Sequence, residues 1–260
     1  MRQLGLVTGA SAGIGRVFAE RLAAKGHDLI LVARDALRLQ ALAAALSGRH
    51  AVTVEPLPAD LSCDAEIERV AERIERGPPL SILVNNAGFG VKGELVATDP
   101  ALQAAMLHVH AVAPMRFCRA ALPAMIARHA GAIVNVSSVA SFIYTPGNAN
   151  YSATKAYLTA FSEGLDGEVR ASGVRVQALC PGFTRSEFHD RMGLTQAERE
   201  RRPLWLRAEF VVDSSLRALE RGGPAVCIPD WRYRLVVFLI RHAPRRLLGL
   251  ATRRVHGAHE

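Results

Sequence analysis

Tyr151 and Lys155 stand four residues apart in the stretch YSATK. On a helix that spacing puts both side chains on one face. A phenol titrates near 10 and is a poor acid or base at neutral pH. A neighbouring ammonium favours its anion and lowers that value, so the pair suits proton transfer. Only three lysines (Lys25, Lys92, Lys155) and four tyrosines occur in the chain, which weakens chance as an explanation of the spacing. Ser138 precedes Tyr151 by thirteen residues and ends an apolar run, VNVSS. Ligands of open α/β sheets gather at such strand ends.

A second cluster lies near the start. In VTGASAGIG, Gly9, Gly13 and Gly15 follow one apolar run and open a helical pattern, with Ser11 and Ile14 in the same turn. Glycines there permit a tight turn and close approach of the backbone to a pyrophosphate, which the helix N-terminus then attracts. The next apolar run ends LVARD. Ala33 occupies the slot where a carboxylate would hold a ribose 2′-hydroxyl, and Arg34 follows it. A guanidinium suits a 2′-phosphate, so NADP(H) is favoured, with NAD(H) as the alternative. Asp35 is expected to start the following helix.

His108 and His110, in MLHVHAVAPM, are spaced like metal ligands. On a helix, however, residues two apart do not face each other, and no nearby Cys or His completes a set. No metal is expected. The four cysteines (Cys63, Cys118, Cys180, Cys227) are scattered and read as free thiols of a cytoplasmic protein.

The elements that must hold these residues alternate regularly. Strands are predicted over 3–8, 28–33, 51–56, 80–86, 131–138 and 173–182, with a short one at 225–230. Helices are predicted over 13–25, 35–47, 63–76, 100–128 and 150–171. The strands are continuous apolar runs, as in parallel sheets buried on both faces. The fold class is therefore α/β: a Rossmann-type doubly wound parallel sheet flanked by helices, in a single domain over 1–260. The irregular, charged region 183–222 reads as a substrate-lid insertion carrying helices over one end of the sheet.

Of the net charge of +8, +6 falls between Trp231 and Glu260, which hold seven Arg and one Glu. This basic amphipathic extension, 231–260, leaves two expectations open: peripheral membrane contact or a subunit surface. Nucleic acid is not expected, since no aromatic-studded basic platform accompanies it. No secretory signal is visible, and no apolar run is long enough to span a bilayer.

Taken together, the motifs resemble those of the short-chain dehydrogenase/reductase family over about residues 3 to 186. They are TGASAGIG, ADL with Asp60, NNAG at Asn85–Gly88, Ser138 in VSSVA, YSATK, and CPG with Pro181 and Gly182. The resemblance implies a ketone/secondary-alcohol oxidoreductase. Tyr151 would be the general acid, Ser138 would bind the substrate oxygen, and Lys155 would bind the nicotinamide ribose and lower the tyrosine pKa. Asp60 would contact adenine, while Asn86, Ala87 and Gly88 would line the ribose. Gly9, Ser11, Gly13, Ile14, Gly15, Arg34, Leu61, Pro181, Gly182 and Thr184 would complete the cofactor site, with Ser186 in a slot the family often fills with Thr. The family's usual catalytic Asn lies thirteen residues before the Pro of ALP, here Pro123, and that slot holds His110. His110 is expected to replace it as a titrating member of a proton relay, the alternative being that a backbone carbonyl and water do that work and His110 only fills space.

Phe142, Ile143, Tyr144, Phe183, Phe188, Trp205 and Leu206 make the expected substrate side apolar, which suits a hydrophobic carbonyl or alcohol. A 3-oxoacyl thioester reductase is the alternative, and an NADP(H) sensor without turnover is the alternative from another class. Relatives imply a homodimer or homotetramer.

Overall fold

The computed structural model describes residues 2–91, 93–144, 146–188 and 204–242. Its strands are β1 (Leu4–Thr8), β2 (Asp28–Ala33), β3 (Val54–Pro58), β4 (Ile82–Asn85), β5 (Gly131–Val136), β6 (Val174–Leu179) and β7 (Val226–Cys227). They form one parallel sheet in the order β3-β2-β1-β4-β5-β6-β7. The chain reverses its direction of winding between β1 and β4, and the crevice at that switch is where such sheets bind ligands.

The helices are α1 (Gly13–Ala24), α2 (Ala36–His50), α3 (Asp64–Arg76), α4 (Pro100–Leu107), α5 (Ala113–Ala127), α6 (Ala149–Val169), α7 (Ala208–Glu220) and α8 (Trp231–His242). Two apolar layers sandwich the sheet. Phe18, Leu39, Val211 and Tyr233 lie in one, from α1, α2, α7 and α8. Ile67, Val70, Phe117 and Met125 lie in the other, from α3 and α5. Among the described residues no helix is long and apolar enough to cross a membrane.

Three departures from the sequence reading have local causes. Strand β3 begins at Val54 because α2 runs on to His50 and closes through Ala51, whose φ of 52° is left-handed. The helix expected over 100–128 is interrupted by a π turn at His108–Val112, where one extra residue widens the coil. Part of the region expected as a lid is α7, a crossover helix fixed to α1 by Arg21 Nε donating to Asp213 Oδ1 at 2.8 Å. The centre of that expected lid, 189–203, lies outside the described residues, as do 243–260 of the basic extension.

Candidate active site

The glycine turn is closed by the loop after β4. Asn86 Nδ2 donates to the carbonyls of Thr8 at 2.9 Å and Gly9 at 3.2 Å. Thr8 Oγ1 in turn accepts from the amides of Asn86 and Ala87, at 2.9 and 3.0 Å. Packing this tight leaves no room for a side chain. A Cβ on Gly15 would sit 2.3 Å from Gly9 O, and one on Gly9, whose φ is +64°, 2.7 Å from Asn86 Nδ2. Helix α1 begins without a side-chain cap and without an acidic residue in its first turn. Its free amides and dipole therefore favour an anion. These features fit a dinucleotide pyrophosphate.

The end of the cleft expected to take the nucleotide is built from charges. Arg34 is exposed just past β2. Asp35 caps α2, its Oδ1 accepting from Arg38 N at 3.0 Å, as the sequence suggests. Asp60 accepts from Ser62 N and Oγ at 3.0 and 2.8 Å. Burial works to raise the Asp60 pKa, but these hydrogen bonds and the Arg34 charge hold it below the ordinary value. Arg38 donates to Glu187 at 3.0 and 2.8 Å, joining α2 to the segment after β6. Within that segment Ser186 lies against the turn, 3.0 Å from where a Gly13 Cβ would be. Thr184, expected among the cofactor residues, is buried and donates its hydroxyl to Gly182 O at 3.0 Å, so Ser186 is the hydroxyl beside the cradle.

At the other end of the cleft, strand β5 and helix α6 set Ser138, Tyr151 and Lys155 together. Ser138 is close enough to the Tyr151 hydroxyl to bear on its titration. Ser138 Oγ accepts from Ala140 N at 3.1 Å, which fixes its direction. Lys155 Nζ donates to Val136 O at 2.8 Å and lies 5.8 Å from the Tyr151 ring centroid. Burial pushes the Tyr151 pKa up to about 12, against the opposing influence of Ser138. Desolvation therefore governs Tyr151 here, and the lowering expected from Lys155 is not seen. Burial brings Lys155 itself down to about 8.

His110 is fully buried in the π turn. Its Nε2 accepts from the amide of Phe89 at 3.1 Å, so the proton must be on Nδ1. Nδ1 then donates to Thr154 Oγ1 at 2.9 Å, and that hydroxyl donates to Tyr151 O at 2.9 Å. The ring meets Tyr151 edge-on at 5.7 Å, and a Cβ on Gly88 would be 2.8 Å from Nε2. Burial first, and the Lys155 charge second, hold the His110 pKa well below its ordinary value. His108 points elsewhere, 3.3 Å from Asp64. Among the described residues no cluster could hold a metal.

Several positioning residues escape sequence reading. Ser137 Oγ donates to Lys155 O at 2.8 Å and lies 2.7 Å from Thr159 Oγ1. Asn135 and Asn85 pair across the β4–β5 register at 2.8 Å, and Asn135 Nδ2 reaches Ser162 at 2.9 Å. Thr154, next to Lys155, carries the only available hint, a polar side chain three residues after Tyr151 on α6.

The expected apolar flank is present in part. Phe188 approaches Tyr151 at 6.0 Å and Trp205 approaches Phe183 at 5.7 Å. Leu206 belongs to the core instead, because its N and O bond to Phe183 O and Arg185 N.

The family model for short chain dehydrogenases matches residues 3–197. A short-chain dehydrogenase from Sphingobium yanoikuyae, solved with NADPH, is 36% identical, with a TM-score of 0.83 over 97% of this chain and 93% of its own. A bulky-bulky ketone specific alcohol dehydrogenase from Comamonas testosteroni is 31% identical, with a TM-score of 0.79 over 99% and 94%. The 3-oxoacyl-[acyl-carrier-protein] reductase of Bos taurus is 36% identical over 183 residues, which is 70% of this chain and 76% of that protein.

Proposed function

The chain belongs to the short-chain dehydrogenase family and is an NAD(P)(H)-dependent oxidoreductase; from that premise we propose that it uses NADP(H) to interconvert a hydrophobic ketone and its secondary alcohol. The observation that carries this reading is the clustering of Ser138, Tyr151 and Lys155 where β5 and α6 meet, with Lys155 Nζ held by Val136 O 5.8 Å from the Tyr151 ring. The glycine turn, the α1 N-terminus and Ser186 would hold the pyrophosphate, and Arg34 the 2′-phosphate. Bound there, the nicotinamide supplies the hydride that the carbonyl carbon accepts. Ser138 donates to the substrate oxygen. Tyr151 gives that oxygen its phenolic proton as negative charge grows on it. Lys155, charged at neutral pH, steadies the phenolate left behind.

His110 enters this reading as a positioning residue. A relay needs an imidazole that changes charge and has a nitrogen to spare. Here both nitrogens are engaged within the protein and the ring is kept neutral. It joins the loop after β4, through Phe89, to the catalytic helix, through Thr154.

The single test is a panel of bulky ketones, small ketones and 3-oxoacyl thioesters, followed by NADPH and NADH absorbance in parallel. Bulky ketones with NADPH are expected to turn over fastest. The similarity to a 3-oxoacyl reductase supplies the second reading, and preference for the thioesters would establish it. Faster turnover with NADH would overturn the role given to Arg34.

A homodimer belongs to the same proposal, with a second copy covering the outer face of α5 and α6. Ile126 and Tyr157 are exposed there, and Tyr157 stacks on Phe161 at 5.8 Å. Light scattering should report a dimer that Ile126→Glu dissociates. Cys63, Cys118, Cys180 and Cys227 are all free thiols, which suits a reducing cytoplasmic setting.

A further inference from the structure

Helix α8 has two faces of opposite use. Tyr233 and Val237 sink into the core, at 5% and 4% exposure. On the opposite face Trp231, Leu235, Phe238 and Leu239 follow at helical spacing and are 69%, 49%, 56% and 57% exposed. At 100° per residue, that apolar stripe is bordered by Arg232 on one side and by Arg234 and Arg241 on the other. An outward face this apolar is expensive to leave in water.

We propose that α8 is an interfacial dock that lays the protein on an anionic lipid surface, with its apolar stripe in the acyl boundary and its arginines at the headgroups. The helix has twelve residues, far short of a span, so it would lie in the interfacial plane. Charge decides between this occupant and a second copy. Arg232 is paired with Asp230 at 3.0 Å, but two such faces apposed about a twofold axis would still set Arg234 and Arg241 of one copy near those of the other. The chain from Trp231 to its end carries seven Arg and one Glu, which sharpens that repulsion and attracts anionic headgroups. Trp231 at one end of the stripe suits the same boundary, where an amphipathic ring is stable.

The location gives the dock a use. Tyr233 Oη accepts from Phe183 N and donates to Leu204 O, both at 3.0 Å. Arg241 lies 4.9 Å over the Phe142 ring. The helix that would rest on lipid therefore pins both ends of the segment flanking the expected substrate side. A lipophilic substrate dissolved in the bilayer would reach that mouth without crossing water. This last step rests on the ketone reading above, whereas the docking does not.

The test is co-sedimentation of the full chain with vesicles of phosphatidylcholine alone and of phosphatidylcholine mixed with phosphatidylglycerol, without substrate. Binding is expected only to the mixed vesicles. It should weaken in high salt and fall about tenfold or more in Leu235→Glu/Phe238→Glu, since each change puts a carboxylate into the apolar stripe. Circular dichroism and NADPH binding would check that this variant is folded. A second variant, Trp231→Phe, keeps the stripe apolar and should keep binding, while losing any blue shift of tryptophan emission that Trp231 contributes. Equal binding to both vesicle types, no binding to either, or undiminished binding of the double variant would overturn the proposal. So would loss of a solution dimer in that variant without lipid, which would assign the face to a second copy. Failure of every ketone to turn over would sink the reading of the active site and leave the vesicle result standing.

Discussion

At the proposed nucleotide end of the cleft, Arg34, Arg38 and Asp60 are exposed or half-buried and act through charge. At the reacting end, His110, Thr154, Lys155, Ser137 and Thr159 are buried and joined mainly by neutral hydrogen bonds. Exposed ion pairs are screened by water and salt, so each contributes little and can be exchanged. Buried donors and acceptors carry their full desolvation cost once a partner is removed. The nucleotide end can therefore be retuned one charge at a time, whereas the reacting end should fail as a unit.

The sharpest break is Tyr151→Phe. Removing the phenolic proton should lower kcat by roughly 10²–10⁴-fold. NADPH affinity, measured by fluorescence titration, should hardly move, because the hydroxyl acts on the substrate oxygen. A similar loss of cofactor affinity would mean that the two ends are not separable.

His110→Ala comes next. It strands the part-buried Phe89 amide, at a cost of about 1–3 kcal/mol, and takes from Thr154 Oγ1 the donor it accepts from while leaving that hydroxyl's bond to Tyr151 O. Thermal melting should fall, and kcat by about tenfold or more, while the neutral pH profile keeps its shape. His110→Asn should recover much of both. Acid behaviour separates the two imidazole roles further. The folded His110 pKa lies below 6.5, so between those values the unfolded chain binds more protons. Stability is then complete above 6.5 and is lost as pH drops, and the Asn variant should lose less of it. A kcat profile whose neutral limb moves in His110→Asn would restore the relay.

Lys155 gives a third measurement. Its pKa of about 8 predicts that ketone reduction weakens as pH rises through that value, because the charge steadying the phenolate is lost. Lys155→Met should abolish the limb along with most of the activity.

The same contrast explains what could be read in advance. Apolar runs announced the strands, and the glycines, Asp35, Tyr151 and Lys155 announced themselves through local spacing, because backbone geometry and helix periodicity are short-range. The π turn left no such mark: HVHAV reads as ordinary helix, and only the packing of His110 against Gly88 and Phe89 shows the widened coil at work. The Asn85–Asn135–Ser162 chain depends on sheet register and on residues up to 77 positions apart, which no motif encodes. Thr184 and Ser186 differ by two residues, and only the bridge from Thr184 to Leu206 decides which hydroxyl meets the cradle.

The smallest effects belong to the exposed charges, and they test the comparison from its weak side. Arg34→Glu should raise the KM for NADPH by about tenfold or more, as a charge-assisted contact of about 1.5–3 kcal/mol is lost, and should leave NADH nearly unchanged. Arg38→Gln removes the pair with Glu187 and a longer one with Asp35, all of whose side chains are about half exposed. An exposed pair contributes at most about 1 kcal/mol, so KM should change by less than about fivefold, and added salt should narrow even that difference. A large, salt-resistant effect at Arg38 would mean that its bond to Glu187 holds the segment carrying Ser186 over the glycine turn. The nucleotide end would then be as cooperative as the reacting end, and the contrast between them would be one of exposure alone.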